Sequence, residues 1–157
     1  MASAGAKFPI DIASGEDLHF LVVESRYDAD RADELLQGVT DALEAAQASF
    51  DLISVPSVLA IPAAIAMAIE AGEYDGFIAL GTMVDNQPVH VSHIVPEVTR
   101  VLLELSVVDA LPLGIALVST QTEGEAHGQT ALTGNNVGGA AARCALAMAA
   151  LKIKLNA

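Results

Sequence analysis

The sequence predicts an α/β fold: a parallel sheet with helices on both faces. Three observations predict it. Short apolar runs of roughly four to six residues alternate with helical segments of about 14, the pattern of βαβ crossovers. The strand runs are continuous in apolar residues rather than alternating, as strands covered on both faces require. The length, 157 residues, suits one domain with a sizeable core.

The elements read in order as follows. Residues 1–17 are small, carry Lys7, Pro9 and Gly15, and show no periodicity, so they are expected to form an N-terminal arm, with residues 18–157 as a single domain. Leu18 to Val23 is the first strand. From Asp28 to Gln47 the period changes: Leu35, Leu36, Val39, Leu43 and Ala46 share one face, and Asp33, Glu34, Asp41 and Glu44 lie opposite. Asp28 or Asp30 is the expected N-cap. Phe50 to Val55 is the second strand, closed by Pro56. Leu59 to Ala71 is a helix with Pro62 in its first turn and Gly72 as its C-cap. Asp75 to Gly81 is the third strand, and Met83 to His93 is read as irregular. Ile94 to Val107 is a helix with Val95, Val98, Val101, Leu102 and Leu105 inward. Leu113 to Val118 is the fourth strand. Ser119 to Asn136 is polar and is read as a loop. Gly138 to Lys152 is a last helix whose alanines predict close packing, with Cys144 as a small core residue inside it.

Composition narrows the function classes. Acidic residues number 20 against 7 basic ones, a formal charge of −13. Nucleic acid and anionic membranes both call for Lys/Arg stripes, so neither is an expected partner. The longest nearly apolar run, Val55 to Ile69, holds two prolines and falls short of the ~20 residues a span needs. Asp11, Glu16 and Asp17 interrupt the region where a signal peptide would be apolar. The single cysteine leaves no internal disulfide and no CxxC pair. The expected location is a soluble, reducing compartment, the cytoplasm. Few charges and many apolar residues point to surface hidden in an oligomer.

Open parallel sheets bind ligands outside the carboxyl ends of their strands. Four segments are therefore candidates: Ser25–Tyr27, Val55–Val58, Gly81–His93 and Ser119–Gln121. His90 and His93 follow the third strand, where an imidazole is either a proton carrier or a solvated side chain. Their i,i+3 spacing, with Asp85 nearby, lacks the HExxH pattern, and no metal is assigned. His19 within a strand and His127 in the polar segment read as structural or exposed. GxGxxG, GxxxxGK[ST] and GxSxG are all absent. Asn135-Asn136-Val137-Gly138-Gly139 either offers backbone N–H groups to an anion or serves as a turn and helix start, and the second role is the expected one.

Several stretches, taken in order, carry a family resemblance. They are Val22–Tyr27, Ala32–Gly38, Val55-Pro56 with Ile61-Pro62, Glu73–Thr82, His90, and Gly138-Gly139 with Ala141–Arg143. In order and spacing they resemble the lumazine synthase family, in its rhizobial-type branch, from about Leu18 to Leu151. The resemblance implies a flavodoxin-like three-layer αβα sandwich with a four-stranded parallel sheet. It implies homopentamers, in some members closed into a shell, with sites between neighbouring subunits. The implied reaction condenses a ribitylamino-pyrimidinedione with dihydroxybutanone phosphate, a step of riboflavin biosynthesis, with no cofactor and no metal.

By the same resemblance His90 is the proton-moving residue and Tyr27 the aromatic that stacks on the pyrimidine. Ser57, Val58, Leu59, Thr82, Met83, Val84 and Gln87 are the substrate-binding positions. The chain departs from the family at the polar ones. Ser57-Val58-Leu59-Ala60 lacks the glutamate that binds the ribityl chain. Asp85-Asn86-Gln87-Pro88 replaces an Arg-Gly-Glu-Thr that holds the phosphate, and Gly128–Val137 contains no cation. A phosphate wants Arg forks, lysines or N–H nests, and Asp85 adds a like charge. The expected activity is therefore weak or altered. The alternatives are a non-catalytic oligomeric scaffold of the same fold and a binder of a flat small-molecule heterocycle.

Overall fold

The computed structural model describes residues 15–84 and 93–157. In chain order it contains β1 (His19–Ser25), α1 (Ala29–Ala45), β2 (Ser49–Val55), α2 (Ile61–Ala71), β3 (Gly76–Val84), α3 (Ile94–Val108), β4 (Leu113–Thr120), α4 (Glu123–Thr130) and α5 (Val137–Leu155). The four strands form one parallel sheet in the order β2-β1-β3-β4. Helices lie on both sides, the α/β sandwich that the alternating pattern predicts.

Parallel strands alternate their side chains between two cores. Phe20 and Val22 of β1 and Ile78 and Leu80 of β3 point to one side, against Leu35, Val39 and Leu43 of α1 and Ala142, Ala145 and Leu146 of α5. Leu21 and Val23 of β1 and Phe77 and Ala79 of β3 point to the other, against Ile61 and Ile65 of α2 and Val98 and Leu102 of α3. This double burial is why β1 and β3 read as unbroken apolar runs. The second strand departs from that reading. β2 sits at the sheet edge, and Leu52 and Ile53 remain 42% and 41% exposed.

Local chemistry sets the helix ends. The Asp28 carboxylate accepts from the Asp30 and Arg31 backbone N–H groups at 3.1 and 3.3 Å, capping α1. A single 3-10 turn, Val58–Ala60, leads into α2, with Pro62 in its first turn. Gly72 ends α2 at φ 72°, a left-handed conformation that suits glycine. Asn136 caps α5, accepting from Gly139 N–H at 3.1 Å. The alanine-rich α5 lies against α1 as closely as the sequence predicts: a Cβ at Gly138 would stand 2.3 Å from the Leu35 carbonyl oxygen. Cys144 is half-buried in α5, and burial raises its thiol pKa.

Two expectations are corrected. Met83 and Val84 are not irregular: they pair with Ser119 and Thr120 and extend β3. Ser119–Asn136 is not a continuous loop either. It holds the end of β4 and the helix α4, on which His127 stands. Thr122 Oγ1 accepts from Glu125 N–H at 3.1 Å while the Glu125 carboxylate accepts from Gln121 N–H at 3.1 Å. That Thr-x-x-Glu spacing is a capping-box signal the polar composition hid. Within α4, Ala126 and Thr130, one turn apart, are buried. Glu34 of α1 anchors the helix, accepting from His127 Nδ1–H at 2.8 Å and from the Thr130 hydroxyl. Residues 15–17 form a turn held by Gly15 N–H on the Ala46 carbonyl at 2.6 Å. The rest of the expected arm, residues 1–14, lies outside the described residues. No helix among the described residues is long and apolar enough to cross a membrane.

Candidate active site

Because every strand runs the same way, the residues after β1, β2, β3 and β4 meet at one edge of the sheet. A Cβ added to Gly81 would come within 3.0 Å of Val58, 3.3 Å of Leu117 and 3.7 Å of Ser25. Those contacts join all four strand ends. Val58 and Thr82 are 3% and 2% exposed and form the floor. Met83 packs beside them, and Val84 is half-buried at the last position of β3. Ser57 is exposed, and Tyr27 and Leu59 stand out at 72% and 62% exposure. Tyr27, Ser57, Val58, Leu59, Thr82, Met83 and Val84 are thus gathered at one edge. His90, Gln87 and Asp85 lie outside the described residues.

A shallow cavity of about 550 Å³ opens at this edge between Leu59 and the start of α3. Its lining is Leu59, His93, Ile94, Pro96, Glu97 and Arg100. One wall is apolar. The charged wall is self-paired, since Arg100 donates to Glu97 at 2.6 Å and to Glu104 at 2.9 Å. The Arg100 guanidinium holds the Glu97 carboxyl below the usual carboxylate range.

Beside Tyr27 lies a network that the sequence reading did not single out. Glu24, the next-to-last residue of β1, is 1% exposed, a buried carboxylate that must be paired. Arg26 Nη1 donates to its two oxygens at 3.0 and 3.1 Å, and the Ser54 hydroxyl donates at 2.8 Å. The far side of the same guanidinium is bonded to Asp33 of α1. Asp33 and then Glu24 raise the Arg26 pKa. A neighbouring cation, Arg31, pairs with Glu34 at 3.0 Å. The arginines at this edge, Arg26, Arg31 and Arg100, are each held by carboxylates of the same chain. A sequence signal did exist: Glu24 and Arg26 fall on alternate positions leaving an apolar strand, where a charge inside the sheet end needs a partner.

What the arrangement can do chemically follows. It offers an apolar floor, an exposed aromatic and hydroxyl groups, while the guanidinium groups of Arg26, Arg31 and Arg100 are each already engaged by a carboxylate. Among the described residues no group of His, Cys, Asp and Glu side chains is set to hold a metal ion.

An α/β protein with a ligand edge of this kind belongs to a broad class, and comparison with known proteins narrows it. The family model for 6,7-dimethyl-8-ribityllumazine synthase matches residues 17–153. A 6,7-dimethyl-8-ribityllumazine synthase of Agrobacterium fabrum is 42% identical over 143 residues, covering 88% of this chain and 97% of the relative. A 6,7-dimethyl-8-ribityllumazine synthase 1 of Rhizobium meliloti is 39% identical over 151 residues, covering 93% and 99%. One of Mesorhizobium japonicum is 40% identical over 144 residues, covering 88% of each chain. The chain belongs to the lumazine synthase family, and the rhizobial likeness read from the motifs agrees with these relatives.

Proposed function

We propose that this protein is a lumazine synthase-type transferase of riboflavin biosynthesis whose site has kept its heterocycle platform and lost most of its phosphate grip. The observation that carries this reading is the occupation of Arg26, Arg31 and Arg100 by Glu24, Asp33, Glu34, Glu97 and Glu104. A phosphate arriving at this edge has to displace a carboxylate from a guanidinium, which costs the pair it breaks. The pyrimidine-type ring has no such obstacle. It stacks on Tyr27 and rests on Val58, Leu59 and Thr82, while Ser57, Met83, Val84 and Gln87 border it. His90 moves protons in the condensation. The reaction needs no cofactor.

The test is product formation from the ribitylamino-pyrimidinedione and dihydroxybutanone phosphate, followed by absorbance, beside the Agrobacterium fabrum relative. The expected kcat/KM is lower by at least about 10-fold, a loss of one charge-assisted contact or more. Equal rates would overturn the altered site. Absence of both turnover and binding of a flavin-like heterocycle would overturn the enzyme reading.

A second reading rests on a separate observation. The outer faces of α2 and α3 expose Met67 at 70%, Leu103 at 54%, Val107 at 80% and Val108 at 82%. Apolar exposure on this scale marks an association surface. We infer that copies of this chain assemble through it, as a homopentamer or larger shell, and that the assembly persists whether or not the site turns over. Light scattering of the purified protein tests this, and a stable monomer would refute it.

A further inference from the structure

β1 ends at Ser25 and α1 begins at Ala29, so Tyr27 stands in the middle of a short connection, between Arg26 and Asp28. Its side chain is exposed, and among the described residues it makes no hydrogen bond, ion pair or ring stack with the rest of the chain. A ring with no such partner takes its direction from its own backbone, and here both neighbours are tied down. On one side the Asp28 carboxylate caps α1, and the Asp28 carbonyl accepts from Ala32 N–H at 2.9 Å. On the other side Arg26 acts as a fork. Nη1 donates to both Glu24 oxygens, at 3.0 and 3.1 Å, while Nη2 donates to the Ala29 carbonyl at 3.5 Å and to the Asp33 carboxylate. One planar group thus joins the strand before Tyr27 to the helix after it.

Glu24 is the unusual member of this clamp. Phe20, Leu21, Val22 and Val23 of the same strand are apolar and buried, and the register partners of Glu24 are Ser54 and Leu80. An apolar side chain in such a place is often as stabilising as a buried ion pair, or more so. Stability alone therefore does not explain the charge. Its geometry is specific instead. The Ser54 hydroxyl donates to Glu24 Oε1 at 2.8 Å and ties the carboxylate to β2, while both carboxylate oxygens face the same Arg26 nitrogen. A guanidinium holds two carboxylates and a carbonyl in a fixed fork, which a lysine ammonium does not reproduce.

We infer that Glu24 and Arg26 are positioning residues, which set the direction of the Tyr27 ring on which the heterocycle stacks. This role rests on the proposed use of Tyr27 as that platform. Neither residue has to touch the ligand. Ser54 and Asp33 anchor the clamp at its two ends, and the backbone of the connection carries its geometry to the ring. The same engagement withholds the Arg26 guanidinium from an incoming phosphate.

The experiment measures the riboflavin affinity of the full chain by quenching of the flavin fluorescence. Tyr27→Ala should weaken binding roughly 10-fold, the scale of one aromatic stack. Arg26→Lys and Glu24→Gln should each weaken it roughly 5-fold in the wild-type background and not at all in the Tyr27→Ala background, where the ring they direct is gone. A merely structural role lowers the binding-competent fraction, and so weakens binding by the same factor in both backgrounds. That result, or wild-type affinity in both single variants, would overturn the assignment. The two variants enter the cycle independently, so poor folding of one leaves the other to decide. The chain has two tyrosines, which makes fluorine NMR of the fluorotyrosine-labelled protein a second readout. The Tyr27 resonance should move in Arg26→Lys and Glu24→Gln, while that of Tyr74, before β3 at the opposite edge of the sheet, should not. A Tyr27 resonance that stays in place would also refute the clamp. Undiminished binding in Tyr27→Ala beside a shifted resonance would sink the platform reading and leave the hold on the ring standing.

Discussion

The layer of α1 and α5 and the layer of α2 and α3 cover the same sheet in opposite ways. On the first side the helices come so close that backbone meets backbone. A Cβ at Gly114 of β4 would stand 1.9 Å from the Ala141 carbonyl oxygen of α5, and one at Gly138 would stand 2.3 Å from that of Leu35. On the second side α2 and α3 bury their inner apolar residues and expose large ones outward, Met67, Leu103 and Val107 among them. The first layer meets the sheet and its neighbouring helix through small residues, and its large exposed apolar side chains, Met148, Ile153 and Leu155, lie in the second half of α5. The other keeps apolar surface that water does not favour. The contrast separates residues that hold the fold from residues proposed to serve association.

The largest effect should come from the closed layer. Gly114→Ala puts a methyl group into a carbonyl that belongs to a packed helix. The loss should be about 3 kcal/mol or more in urea unfolding, the upper end for overpacking. A loss under about 1 kcal/mol would mean that α5 can slide, and the layer would be less closed than its geometry implies. Next comes the buried carboxylate at the end of β1. Arg26→Met leaves Glu24 without its guanidinium and should cost about 2 kcal/mol, less than a fully buried pair because Arg26 is one-third exposed. Asp33→Asn, at the exposed end of the same arginine, should cost under about 1 kcal/mol.

The outward face should behave differently. Met67→Glu with Val107→Glu should change the stability of one chain by no more than about 0.5 kcal/mol per site, since both side chains are exposed. The same pair should lower the particle mass in light scattering. An unchanged mass would move the association surface elsewhere. The smallest effect is electrostatic. Arg100 holds the Glu97 pKa below its unfolded value, so the pair's contribution is present above about pH 4.3 and fades as pH falls through the folded value. The stability difference between wild type and Glu97→Gln should therefore shrink on acidification and vanish in strong acid. A difference that persists there would have another origin.

The candidate site was half legible in the residues. The gathering of Tyr27, Val58 and Thr82 at one edge was readable because a parallel sheet dictates where its strand ends gather, and Leu59 came from the family resemblance. The carboxylate partners of Arg26 were not. Arg26 is bonded to Glu24 two positions before it and to Asp33 seven positions after, and nothing in linear spacing says that a strand end and a helix converge on one guanidinium. The hydrogen-bond partners of His19 were equally hidden. Ser49 and Asp51 lie 30 and 32 residues after His19 and meet it only through the register of β1 on β2.

Periodicity and end signals were enough to write the alternation of strands and helices, the parallel sheet and most helix ends, because hydrophobic spacing and caps such as Asp28 and Gly72 act over one or two turns. Strand order, the edge position of β2 among the described strands and the partners of Glu24 and Arg26 came from folding itself. Those depend on which surfaces meet across tens of residues, and a buried charge takes whichever opposite charge the packing brings within hydrogen-bonding distance.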